Sequence, residues 1–122
     1  MDVGQSTATG LYQQAVAGTF KMEPGAAQKC AEIYQRFAES VDKMITDSYH
    51  LQRLDGFGTF DSALALQQGF EQKGLKMIEA LTGLEEASLK MAAAYLQAGG
   101  HIEDAESMNN AAIKVAGERL PK

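Results

Sequence analysis

Tryptophan is absent from this 122-residue chain, and cysteine occurs once, at position 30. A single thiol excludes an intrachain disulfide, so cysteine usage says nothing about compartment. Four Tyr and five Phe are the only aromatics, so any core is mostly aliphatic. Cations are the minority charge. Eleven Lys and Arg against 16 Asp and Glu give a formal charge of -5, which removes any broad electrostatic reason to bind a phosphate backbone. No run approaches the roughly 18 apolar residues of a membrane-spanning helix. The opening Met1-Asp2-Val3-Gly4 lacks the basic region and apolar run of a signal peptide. That absence predicts a cytoplasmic protein, or one using a dedicated export route for folded proteins.

What is there is helical. The hydrophobic share of 45% is too high for a disordered chain, and the length suits one domain. Residues 1–19 mix Gly4, Gly10 and Gly18 with Ser and Thr, and read as a loosely ordered segment docked through Leu11, Tyr12 and Val16. Residues 20–99 read as a helical hairpin. Its first helix enters at Pro24, where a missing N–H costs nothing, and continues without Gly or Pro from Ala26 to about Leu54. Cys30, Tyr34, Phe37, Val41, Met44 and Leu51 recur at three- and four-residue steps, widened by Ile33 and Ile45 and broken at Ser48. The other side carries Glu32, Arg36, Glu39, Lys43 and Asp47, a solvated face.

Gly56-Phe57-Gly58-Thr59-Phe60 marks the reversal, with Asp61 or Thr59 as the next helix cap. The second helix is expected from about Ser62 to Gln97. Phe70, Met77, Leu84, Met91 and Ala98 lie seven apart, as do Ala80, Ala87 and Ala94, while Leu66, Leu81 and Tyr95 broaden the stripe. A seven-residue repeat favours interlocking left-handed packing, and the small residues admit a close neighbour. Gly69, Gly74 and Gly83 are points where the helix can kink or fray, although its Ala and Leu content predicts that it persists. Gly99-Gly100 ends this helix, and a short third helix is expected from Ile102 to Val115 within a C-terminal region of 100–122. The expected class is all-α, an antiparallel hairpin plus a short helix. Its apolar stripes exceed one mutual contact, so the surplus is expected either to be covered by the end segments or, the preferred reading, to bind a partner helix pair in a four-helix bundle.

Chemistry-bearing constellations are sparse. His50 and His101 sit near carboxylates without the convergent set that a metal requires, and read as solvated helix-end residues. Cys30 reads as a core thiol, and Glu85-Glu86 as a pair on the outside of a helix. Methionines 44, 77, 91 and 108 serve equally as core filling and as an adaptable interface. No enzyme activity and no cofactor are expected.

The organisation resembles the WXG100-type proteins, the small helical-hairpin substrates and partners of type VII (ESX) secretion in actinobacteria, and is similar to their longer relatives. Three pieces over residues 20–98 carry the likeness. They are Phe20-Lys21-Met22-Glu23-Pro24-Gly25-Ala26-Ala27 at the entry to the first helix, Gly56 to Phe60 followed by Asp61-Ser62 and Gln68 to Gly74, and Ala93-Ala94-Tyr95 near the hairpin's end. Two departures stand beside it. Phe57-Gly58 lacks the gap of Trp-x-Gly, and Tyr95 has Gly99 where the family's export signal places Asp or Glu.

The resemblance implies a secreted or envelope-associated protein acting by helix pairing, as a homodimer or a heterodimer with another small helical protein. Its expected contact stripe is Phe37, Val41, Met44, Phe70, Met77, Leu84 and Met91, with Gly56, Phe57, Gly58 and Phe60 holding the helices in register. Tyr95 is a defective export-signal position, so this chain suits the passenger of a pair. The alternative is a cytoplasmic adaptor, chaperone or immunity-like protein that uses the same face on an unrelated partner.

Overall fold

A computed structural model describes residues 2–49 and 61–118, with side chains from residue 64 onward in the second stretch. Among the described residues the chain is all-α: α1 (Gln5–Ala17), α2 (Pro24–Tyr49), α3 (Asp61–Ala98) and α4 (Ile102–Glu118). The expected turn at Gly56, Phe57, Gly58 and Phe60 lies outside the described residues, as do His50 and the end expected for the first helix. The third expected helix is longer than anticipated, at 17 residues.

The N-terminal segment corrects the sequence reading. It is a 13-residue helix, not a loose end. Its packing side is made of small residues, with Ala8 and Ala15 buried seven apart, so hydrophobic periodicity barely registers it. Tyr12 packs against the core as expected, whereas Val16 is exposed. The partner surface on α3 is equally small: a Cβ built at Gly83 would stand 2.8 Å from Gln5 Nε2 and 3.0 Å from Val3 Cγ2, and Gly4 lies against Ala87. Small faces bring two helix axes close, and that closeness replaces large side chains as the source of dispersion contact. The glycines of α3 do not break it. Gly83 marks where α1 arrives.

Each of the other three helices packs on α3. The α2 register is read from paired clusters. Ala31 meets Ala92 and Leu96, whereas Val41 and Ile45 meet Ile78, so α2 and α3 run in opposite directions. Both α1 and α4 sit on the C-terminal part of α3. α1 begins beside Gly83 and Ala87, and α4 runs from Ala105 near Leu96 to Glu118 near Glu85. One end of the molecule is therefore thick, and among the described residues only the α2–α3 pair continues beyond it.

The thick end is locked by its turns. Gly18 and Gly100 both take φ of 83°, a left-handed conformation costly for a residue with a Cβ. The Gly99 N–H donates to the Tyr95 carbonyl and the His101 N–H to the Leu96 carbonyl at 2.8 Å, closing α3. The Met22 N–H then donates to the Ala98 carbonyl at 3.0 Å, and His101 Nε2 bonds the Pro24 carbonyl at 3.0 Å. His101, at the helix end as expected, thus also ties the α3–α4 turn to α2.

Carboxylates open the first two helices. Glu23 accepts from the Gly25 and Ala26 N–H groups at 3.0 and 2.8 Å, and Asp2 accepts from the Gly4 N–H and from Ser6. These hydrogen bonds favour the charged form and hold both carboxyls below their ordinary pKa. Three buried hydroxyls satisfy themselves within their own helices: Ser48 on Met44, Thr82 on Ile78 and Ser88 on Leu84. Ser48 therefore interrupts the stripe without leaving a stranded polar atom.

Candidate interaction surface

The expected contact stripe divides into two parts. Val41, 1% exposed, packs with Ile45 and Ile78, and Leu84 lies half-buried against them. Val41 is thus core and unavailable to a partner, because α3 already covers it. Met91 is half-buried at the thick end. Phe37, Met44, Phe70 and Met77 are 42, 50, 48 and 40% exposed, joined by Ile33 and Leu66.

These side chains share one side of the α2–α3 pair. On α2, buried Ala27, Ala31, Ala38, Val41 and Ile45 face α3, while Gln35 and Asp42 flank α4, with Gln35 Nε2 3.0 Å from Met108 Sδ. At 100° per residue, Ile33, Phe37 and Met44 fall on the flank away from α4. On α3, Ile78 and Leu96 face α2 and Leu89 faces α4, which puts Leu66, Phe70, Met77 and Leu84 on the flank away from α4 as well. Two antiparallel right-handed helices turn these flanks to the same side. Ile45 meets Ile78, so Met44 and Met77, each one residue earlier, stand at one level. Among the described residues the apolar face closes towards the thick end, where Tyr12 from α1 and Phe20 from the α1–α2 link come in.

Tyr95 belongs to that closure. Its ring stacks on Tyr34, 5.6 Å between centroids, and meets Phe20 edge-on at 5.9 Å. Burial first, and then the neighbouring Tyr34, push its phenol pKa up. Its role here is packing α2 and the link onto α3.

The side towards α4 has a different character. One groove of about 330 Å³ runs between α2 and α4 beside Gln28, Gln35, Asp104 and Met108. A second, of about 570 Å³, is walled by Ala38 and Leu89 with Glu39, Asp42 and Glu85. Glu85 corrects the sequence reading: it is 6% exposed rather than on the outside. It stands seven residues from both Ile78 and Ala92, so the repeat that faces α2 carries it inward. Glu86 does lie further out, 3.3 Å from Lys90 Nζ and 3.4 Å from Gln5 Nε2. Cys30 is half-buried, not fully enclosed. Among the described residues no three His, Cys, Asp or Glu side chains converge as metal ligands do, and no helix is long and apolar enough to cross a membrane.

Sequence periodicity found the apolar residues but not which half of them stays outside. The signal lay in pairs such as Val41 and Met44, three apart and alike in hydrophobicity, whose fates differ only through the direction of α3. The two capping carboxylates were also missed, although Glu23 immediately before Pro24 is a legible signal. Compared with models of known families, with characterised proteins and with solved structures, the chain matches none.

Proposed function

We propose that this chain is a non-enzymatic helical protein associated with type VII (ESX-like) secretion, working by pairing one helix face with itself or with a partner hairpin. The observation supporting the pairing is the exposed flank: Ile33, Phe37, Met44, Leu66, Phe70 and Met77 remain about half in solvent on one side of the α2–α3 pair. Together they present on the order of 500 Å² of apolar side chain, near the upper size of such a patch on an ordinary monomer. A second helix pair laid along it completes a four-helix bundle. The secretion association rests on the resemblance of residues 20–98, and Gly99 at the export-signal spacing favours the passenger role over an exported chain carrying its own signal.

A reading as a cytoplasmic adaptor or chaperone uses the same face and draws on the same missing signal. Co-expression with the short helical protein of a neighbouring gene separates the two. A one-to-one complex that reaches the medium supports secretion, whereas a complex retained inside the cell supports the adaptor. The pairing itself is tested by Met44→Asp and Met77→Asp, which place a charge on the exposed flank. Loss of assembly with unchanged helicity is expected, and unchanged assembly in both variants refutes the face.

A further inference from the structure

Cations flank the exposed apolar face at a fixed spacing. Lys29, Arg36 and Lys43 lie seven apart on α2, each immediately before a stripe residue: Cys30, Phe37 and Met44. Lys76 stands in the same relation to Met77 on α3, and Lys73 follows Phe70 by three residues on the same flank. Five of the chain's eleven Lys and Arg are thus gathered along one face of a protein whose formal charge is -5. All five are exposed, and among the described residues Lys29, Lys43, Lys73 and Lys76 have no carboxylate within ion-pair distance. Arg36 has Glu32 at 3.6 Å, both largely in solvent, and Asp47 stands on the same side of α2, four residues after Lys43. On the other side, Glu39, Asp42, Glu85 and Glu118 line the groove beside α4 together with one cation, Lys114, which lies 3.9 Å from Glu118.

Residues flanking an apolar heptad seam select the partner by charge. Resting on the pairing reading above, we propose that this face takes an amphipathic helix of a different chain, with acidic residues flanking its apolar stripe. A symmetric pair of copies through this face is disfavoured, because an isologous contact sets the Lys29, Lys43 and Lys76 margins against one another. A copy offering its acidic α4 side instead makes a head-to-tail contact, which does not close.

The test uses the full chain and two synthetic helical peptides of about four heptads. The peptides share one Leu/Ile core and carry either Glu or Lys at the flanking positions. Titration calorimetry measures both at low and high salt, light scattering gives the mass of the protein alone, and co-sedimentation with phosphatidylserine-containing vesicles probes lipid. The expected result is a monomer that binds the Glu-flanked peptide about tenfold or more tighter than the Lys-flanked one, with a preference that salt erodes. The triple variant Lys29→Glu, Lys43→Glu, Lys76→Glu, helical by circular dichroism, should reverse the order.

Equal binding of the two peptides overturns the charge assignment and leaves the pairing reading standing. So does a homodimer abolished by Met44→Asp. Vesicle binding that the triple variant loses, without peptide binding, replaces the helical partner with an anionic membrane surface. A monomer that binds neither peptide nor vesicles overturns both the assignment and the pairing reading.

Discussion

Replacing Gly99 by Ala should destabilise the protein, although at an ordinary φ the change from glycine to alanine normally stabilises by restricting the unfolded chain. The added Cβ would be driven into the Ala27 Cβ and would lie 3.5 Å from the Pro24 Cα, so it meets a methyl and backbone that cannot rotate aside. Gly99 has no positive φ, so backbone strain does not enter. Relief requires the start of α2 to move off the end of α3. That movement stretches the Met22–Ala98 and His101–Pro24 hydrogen bonds, each about 3.0 Å long. Overpacking of this kind costs about 1–3 kcal/mol. For a chain of this size that lowers Tm by roughly 4–12 °C.

The comparison is Gly69→Ala, where nothing lies within 4 Å of the new Cβ. Inside α3 that change should stabilise by up to about 1 kcal/mol through helix propensity alone. Thermal unfolding followed at 222 nm on both variants reads the two signs. A Gly99→Ala protein at least as stable as the parent would refute the close approach of α2 to the α3–α4 turn.

Three further outcomes are expected. Deleting residues 2–19 uncovers Gly83 and Ala87 on α3 and should lower Tm by about 4 °C or more, for a loss of at least roughly 1 kcal/mol. A deletion that left Tm unchanged would mean α1 is an ornament. Tyr95→Ala removes the ring stacked on Tyr34 and edge-on to Phe20 and should cost about 2–4 kcal/mol, read by urea unfolding. Glu23→Gln tests the α2 cap through pH. The folded carboxyl titrates below its ordinary 4.5, so its stabilisation is complete above that pH and fades as pH falls through the folded value. The Tm gap between parent and Glu23→Gln should therefore be open at neutral pH and closed in acid.

Three of the four helices were legible in the sequence because large apolar residues recur at helical steps between Pro24, the Gly-rich breaks and Gly99-Gly100. The N-terminal helix was not, since Ala8, Ala15 and Gly4 pack by closeness and carry almost no hydrophobic signal. Glu85 misled for a related reason: its chemistry says surface, while its place in the seven-residue repeat of Ile78 and Ala92 says interior. The candidate face was half legible. Its residues were all in the stripe, yet only the direction of α3 and the seat of α4 decide that Val41 goes inside and Met44 stays out. The cations before Cys30, Phe37, Met44 and Met77 were visible as charge but acquire meaning only once that flank is known to be exposed.

The arrangement of three helices on one has a consequence for how the chain opens. Amides of α3 near Ala92–Ala94 are enclosed by α1, α2 and α4 together, so they exchange with solvent only when all three are lost. Among the described residues, amides just before Met77 have α2 alone above them and open when that single neighbour lifts. Hydrogen exchange along one continuous helix should thus fall by orders of magnitude from its first half to its last. The steep part of that gradient begins at Gly83, the residue without a side chain where α1 first touches.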